Sequence, residues 1–98
     1  MDTGTEITWR EEAREDLRDV LNYLSRSSLR YMQEWGELLD HKLAFLASFP
    51  EMGRMVPEKD IKDFREISVG RYRVLYIYLN KVITIVAIRH MSSLLGKI

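Results

Sequence analysis

The sequence predicts one α+β domain, a helical hairpin packed on a mostly antiparallel sheet in the order β-α-α-β-β-β. Three observations point there. Between residues 11 and 49, apolar side chains recur every three or four positions, as on one face of a helix. Between residues 64 and 90 the chain is dominated by β-branched and aromatic residues in three short runs. A polar stretch holding Pro50, Gly53 and Pro57 separates the two regions. The 98 residues suffice for a single domain, residues 1–98.

Each element has its own signal. Thr5 to Trp9 alternates and contains Ile7 and Trp9, so it reads as a short strand. Thr8 followed by Glu11 has the spacing of a capping box and predicts the start of a helix. Ala13, Leu17, Val20, Leu21 and Leu24 form its apolar stripe. Ser25, Ser27 and Ser28 interrupt the stripe and can cap a second helix. That helix carries Trp35, Leu39, Leu43 and Leu46 and ends before Pro50, which has no amide to donate. Pro50 to Asp63 reads as a loop. Strands follow at Phe64–Val69, Arg71–Leu79 and Val82–His90, with a turn or bulge at Gly70 and a tight turn at Asn80-Lys81. The tail from Met91 reads as a frayed end or a fragment of helix.

The last two strands are apolar on both faces. One face of Arg71–Leu79 shows Tyr72, Val74, Tyr76 and Tyr78, the other Leu75, Ile77 and Leu79. In Val82–His90 strict alternation sets Val82, Thr84, Val86 and Ile88 against Ile83, Ile85 and Ala87. Two helices cover one face of a sheet, so the other needs either the loop and tail or a partner.

Composition excludes several classes of function. With no cysteine, disulfides, thiolate metal sites and cysteine nucleophiles are ruled out. His41 and His90 show no metal-ligand spacing, the glycines form no phosphate-cradling loop, and no cofactor is implied. No apolar run is long enough to span a membrane and the N-terminus is too polar for a signal peptide, so a cytoplasmic protein is expected. The formal net charge is zero, but it is unevenly spread. Residues 1–49 hold six basic and ten acidic side chains, and residues 50–98 hold nine and five. The basic second half reads either as a solvated face or as a surface for an acidic peptide, nucleotide or phosphate.

Four phrases, in order, resemble the RelE/ParE toxins of type II toxin–antitoxin systems, and the likeness spans nearly the whole chain. They are Trp9 with Ala13, Asp16 and Leu17; Leu46-Ala47-Ser48-Phe49-Pro50-Glu51-Met52-Gly53-Arg54; Arg65-Glu66-Ile67-Ser68-Val69-Gly70-Arg71-Tyr72-Arg73-Val74-Leu75-Tyr76; and the terminal His90 of the last strand. The second and third phrases look more like the ParE branch. The resemblance implies a plasmid-stabilisation type of toxin neutralised by a cognate antitoxin encoded nearby, in a toxin–antitoxin hetero-oligomer. An amphipathic antitoxin segment is expected over the helical hairpin or an open sheet edge, burying aromatics such as Trp35, Tyr72 and Tyr76.

The family divides at its target. ParE-like members inhibit DNA gyrase by binding it. RelE-like members are ribosome-dependent, metal-independent mRNA endoribonucleases. A metal-free nuclease needs a base, cations for the phosphate and an acid. Here the candidates are Arg73, which matches the nuclease arginine of this strand, with Arg71 on the same face as a phosphate clamp, Arg65 beside Glu66 on a neighbouring strand, and His90. Arg73 has an alternative role, pairing with an acidic residue of the fold or of the antitoxin. Glu58, Lys59, Asp60 and Lys62 supply charges in the loop, in no register that sequence defines. Active nuclease members carry an arginine or tyrosine just after the last strand, where this chain has Met91-Ser92-Ser93-Leu94-Leu95. Ribosome binders are also usually strongly basic. These departures favour gyrase binding and a chain that is not an enzyme. An mRNA endoribonuclease acting at the ribosome and an inactive antitoxin-binding relic are the alternatives.

Overall fold

In the computed structural model, which describes residues 4–59 and 61–93, the elements are β1 (Glu6–Trp9), α1 (Glu11–Ser27), α2 (Leu29–Ser48), β2 (Arg54–Met55), β3 (Phe64–Val69), β4 (Tyr72–Leu79) and β5 (Val82–His90). The fold is α+β, as expected, with five strands in the order β1-β5-β4-β3-β2. β1 pairs with β5 in parallel, and the other neighbours are antiparallel. No helix among the described residues is long and apolar enough to cross a membrane.

Both helices lie on one face. Ala13, Val20 and Leu24 of α1 and Trp35, Leu39 and Leu46 of α2 pack against Ile67, Val69, Val74, Tyr76, Ile83, Ile85 and Ile88. Ser28 sits between the helices and caps α2, its hydroxyl accepting from the Tyr31 amide at 3.2 Å. α2 stops at Ser48, ahead of Pro50. The tight turn at Asn80-Lys81 forms, and Gly70 sits in a turn between β3 and β4. Asn80 and Lys81 have φ of 54° and 64°, the positive pair of a twist-matched hairpin turn. Gly70 has φ 58°, and a Cβ there would stand 3.1 Å from Cδ1 of Trp35.

Three local expectations are corrected. Thr8 caps no helix. The strand runs to Trp9 and α1 starts at Glu11, with Arg10 at the cap position and no side-chain cap bond. The Thr8 hydroxyl instead lies 3.3 Å from that of Thr84 on β5, because pairing with β5 holds Thr8 in the sheet. Second, the loop Pro50–Asp63 contains a strand. Arg54 and Met55 pair with Glu66 and Arg65 at the sheet edge, too briefly to leave an alternating pattern. Third, Val86 is an extra residue in β5. Tyr76 pairs with Ile85 and Leu75 with Ala87, so alternation shifts past the bulge and Ile88 joins Ile83 and Ile85 beneath the helices. The tail reading at residues 94–98 lies outside the described residues.

The second face of the sheet is closed within the chain. Val56, Phe64, Leu75, Val86 and Ala87 form a smaller buried cluster there, none more than 5% exposed, with Ile77 against it. Val56 brings the loop onto this face, so no partner is needed to bury it. The loop is tied down through Tyr76, whose hydroxyl donates to the Pro50 carbonyl at 2.8 Å and accepts from the Gly53 amide at 3.0 Å.

Gly53 is required for space. A Cβ there would stand 2.5 Å from the Tyr76 hydroxyl oxygen and 2.7 Å from the Glu66 carbonyl oxygen. Gly36, inside α2, has nothing within 4 Å of the corresponding point. Gly53→Ala is expected to destabilise by about 1–3 kcal/mol, whereas Gly36→Ala is expected to stabilise by about 0.5–1 kcal/mol. Thermal unfolding of the two variants, with midpoints moving in opposite directions, checks this.

Candidate functional site

Arg73 lies on the central strand β4, on the face away from the helices, opposite Ser68 of β3. Glu66 is two residues from Ser68 on β3 and so shares its face. Glu58 approaches from the loop, and Arg54 stands opposite Glu66 on β2. The four side chains form one network of two positive and two negative charges. Nε of Arg73 donates to Glu66 at 2.6 Å, and its terminal nitrogens reach the two Glu58 oxygens at 2.7 and 2.8 Å. Arg73 also pairs with Glu66 through Nη2, and Arg54 pairs with the other Glu66 oxygen.

Burial explains why the network is complete. Arg73 is 7% exposed and Glu66 5%, and charges this far from water persist only when paired. The Glu58–Arg73 contact is bidentate, the strong geometry for carboxylate and guanidinium. The hydrogen bond from Arg73 lowers the Glu58 carboxyl to about 2. The Glu58 hydrogen bond, outweighing desolvation and aided by Glu66, raises Arg73 further above its ordinary value. A cavity of about 340 Å³ opens beside the network, lined also by Pro57, Ser68 and Met91. In this arrangement the guanidinium faces two carboxylates, which leaves it poorly placed to receive a phosphate. This is the pairing role within the fold that was the alternative for Arg73.

The other nuclease candidates lie elsewhere. Arg65 lies opposite Tyr76 and donates to the carbonyls of Gly53 at 2.8 Å and Glu51 at 3.1 Å, so it helps anchor the loop. Arg71 falls in the β3–β4 turn, outside β4, so the clamp expected from Arg71 and Arg73 on one strand face does not form. His90 stands opposite Tyr72, on the strand position next to the Arg73–Arg89 pair, and its ring meets the Tyr72 ring edge-on at 5.2 Å. The Ser92 amide reaches His90 Nδ1 at 3.1 Å. The Ser92 hydroxyl lies 2.7 Å from the same nitrogen, so the ring is held by the residues just after the strand. Arg71 and His90 do meet, along one cavity with Tyr72. Arg73 and Arg65 belong to neither that cavity nor one another's surroundings.

The three aromatics expected at a partner surface are core residues of this chain. Trp35 is 3% exposed, Tyr72 8% and Tyr76 0%. The Trp35 indole donates to the Val69 carbonyl at 3.0 Å and packs edge-on against Tyr72. The exposed aromatics are Tyr23, Tyr31, Phe45 and Phe49. Sequence reasoning also missed Asp16, although its phrase was noticed. Its carboxylate accepts from the Ile88 amide at 3.0 Å and pairs with Arg89 at 2.7 Å, supplying the acceptor that β1 is too short to provide. Among the described residues, no group of three His, Asp or Glu side chains is placed to hold a metal.

Two variants test the network. Arg73→Ala leaves Glu66 buried with Arg54 alone, and a loss of about 3–5 kcal/mol is expected. Glu58 contributes in a pH-dependent way. Its folded value lies below the ordinary 4.5, so its stabilisation is present above that value and is lost as pH falls toward 2. In urea unfolding at pH 2 to 7, the difference in stability between wild type and Glu58→Gln should shrink across that window. A constant difference would contradict the pairing.

The matched family model describes the ParE toxin of the type II toxin–antitoxin system parDE and covers residues 7–95. No curated protein matches the chain. Among solved structures, the chain is similar to one described as the chromosomal ParDE toxin–antitoxin system from P. aeruginosa. The TM-score is 0.72 at 14% identity, over 93% of this chain and 100% of that one. It is also similar to one from the toxin–antitoxin complex RelBE2 of Mycobacterium tuberculosis, with a TM-score of 0.60 at 20% identity, over 89% of this chain and 98% of that one. At these identities the structures speak for the fold. The family match extends over almost the entire chain, and the chain belongs to the ParE toxin family of type II toxin–antitoxin systems.

Proposed function

We propose that this chain is a toxin neutralised by a cognate antitoxin and that it acts in the cytoplasm by binding DNA gyrase, without catalysis of its own. The observation that carries the second part is the state of Arg73. The one arginine matching a nuclease residue is engaged by Glu58 and Glu66, and Arg65, Arg71 and His90 lie apart from it. General acid–base cleavage needs its groups within hydrogen-bond reach of one phosphodiester, and this arrangement gives that little support. A formal net charge of zero likewise suits a protein partner better than a ribosome.

The antitoxin partner follows from the family and from the neighbours, which come from toxin–antitoxin systems. A suitable surface is the outer side of α2. Phe45 and Phe49 stack there with ring centroids 6.5 Å apart, both about 60% exposed, with Leu38 also exposed. An amphipathic segment laid along the helix would bury them.

The test is pulse incorporation of labelled thymidine and methionine after the chain is induced alone in a bacterial host. Thymidine incorporation is expected to fall first, and His90→Ala is expected to leave that fall unchanged. Methionine incorporation falling first, with the effect lost in His90→Ala, would overturn the gyrase reading in favour of mRNA cleavage.

A further inference from the structure

A second cavity, of about 350 Å³, lies at the turn of the helical hairpin, where the end of α1, the start of α2, the β3–β4 turn and the end of β5 meet. It lies apart from the Arg73 network. Tyr23, Tyr31, Tyr72, Ser27, Arg71 and His90 line it. Its volume is at the lower end of the range for small-ligand pockets. Three phenols line it, and they differ in exposure. Tyr72 forms the floor at 8% exposed, while Tyr23 and Tyr31 are 62% and 42% exposed and present ring surface to water. Burial, and then the neighbouring Tyr23 and Tyr31, push the Tyr72 phenol up, so it stays a neutral hydroxyl.

The charge around this cavity is one-sided. Its lining carries Arg71 and His90 and no aspartate or glutamate, and Arg26, Arg30, Arg73 and Arg89 stand within a few residues of the lining in sequence. Some of these cations are engaged: Arg30 by Glu34, Arg89 by Asp16, and Arg73 on the other face. The nearest acids along α1 and α2 are Asp19 and Glu34, the latter held by Arg30. Arg26 and Arg71 make no side-chain hydrogen bond or ion pair among the described residues. The first turn of α2 carries no acid, and beside Ser27 and Tyr31 only the neutral Ser28 hydroxyl caps the positive end of that helix dipole. An unpaired guanidinium and hydroxyl donors suit a phosphate. Exposed rings suit a flat base, because every base has a face that stacks on an aromatic side chain. A free carboxylate would use the cation and leave the rings unused.

We propose that this cleft binds an unpaired nucleotide of a single-stranded nucleic acid, with its phosphate at Arg71 and its base on the exposed tyrosine rings. The site is independent of the gyrase reading, and either can fail without the other.

The test is fluorescence anisotropy on the purified full chain. The probes are labelled oligothymidylate and oligouridylate of about 12 nucleotides, within the usual site sizes, and a duplex of the same length. A single strand is expected to bind more tightly than the duplex, and more weakly as salt rises. The tighter of the two strands identifies DNA or RNA as the source. Arg71→Glu should weaken binding by about tenfold or more. Tyr31→Ala and Tyr23→Ala should each weaken it by roughly 5- to 100-fold, with circular dichroism unchanged. Lys81→Glu, in the turn at the opposite end of β4, should change it by less than about twofold. The proposal is overturned if no single strand binds, if the duplex binds as tightly, or if Lys81→Glu weakens binding as much as Arg71→Glu. It is also overturned if a glutamate-rich peptide binds through Arg71 while the oligonucleotides do not.

Discussion

The buried pairing of Arg73 with Glu66 is the constraint on which the far side of the molecule depends. Two charges near the centre of a sheet require partners, and the surrounding elements supply them. Glu66 holds Arg73 across β3 and β4 and also Arg54 on β2, so the edge strand is tied to the centre through one carboxylate. Glu58 completes the guanidinium from the loop. Fixed at Arg54 and Glu58, the loop lays Val56 over Leu75, Val86 and Ala87. Tyr76 and Arg65 hold its first residues from β4 and β3. The small hydrophobic cluster on this face and the ion network beside it are therefore one construction, in which a loop with little apolar content closes a sheet face.

Most of the fold was legible because it rests on local patterns. The apolar stripes of α1 and α2, the Ser28 cap, Pro50 and the two turns each depend on a few neighbouring residues. What was not legible depends on contacts distant in sequence. Thr8 fits a capping box in isolation, yet pairing with β5 holds it in a strand. Arg54 and Met55 form a strand only because β3 offers an edge. The bulge at Val86 changes which face Ile88 occupies, and nothing in the run Val82–His90 announces an extra residue. The candidate site was legible in part. Arg73 and Glu66 stand in one recognisable phrase, but Glu58 sits in an aperiodic loop whose register no pattern defines. Trp35, Tyr72 and Tyr76 have the residue types of a partner surface, and types alone do not separate a buried aromatic from an exposed one.

The same geometry bears on function. A gyrase binder and a ribosomal nuclease could be built on one scaffold, and a scaffold does not choose between the two readings. The choice rests on what occupies particular positions. The nuclease reading calls for a free Arg73, and the structure pairs it with Glu58 and Glu66. Its surface offers exposed aromatic side chains on α2 and at the end of the hairpin, features suited to recognition by contact.

The most direct test of this account separates the structural from the chemical role of Arg73. Replacing both members of the buried pair, Arg73→Met with Glu66→Leu, exchanges it for apolar side chains, a change that is often neutral or stabilising. The measurement is growth arrest after induction of this double variant, at soluble levels matched to wild type. The account predicts that the variant arrests growth as wild type does. A folded, soluble double variant that no longer arrests growth would contradict it and make Arg73 a residue of the toxic mechanism itself.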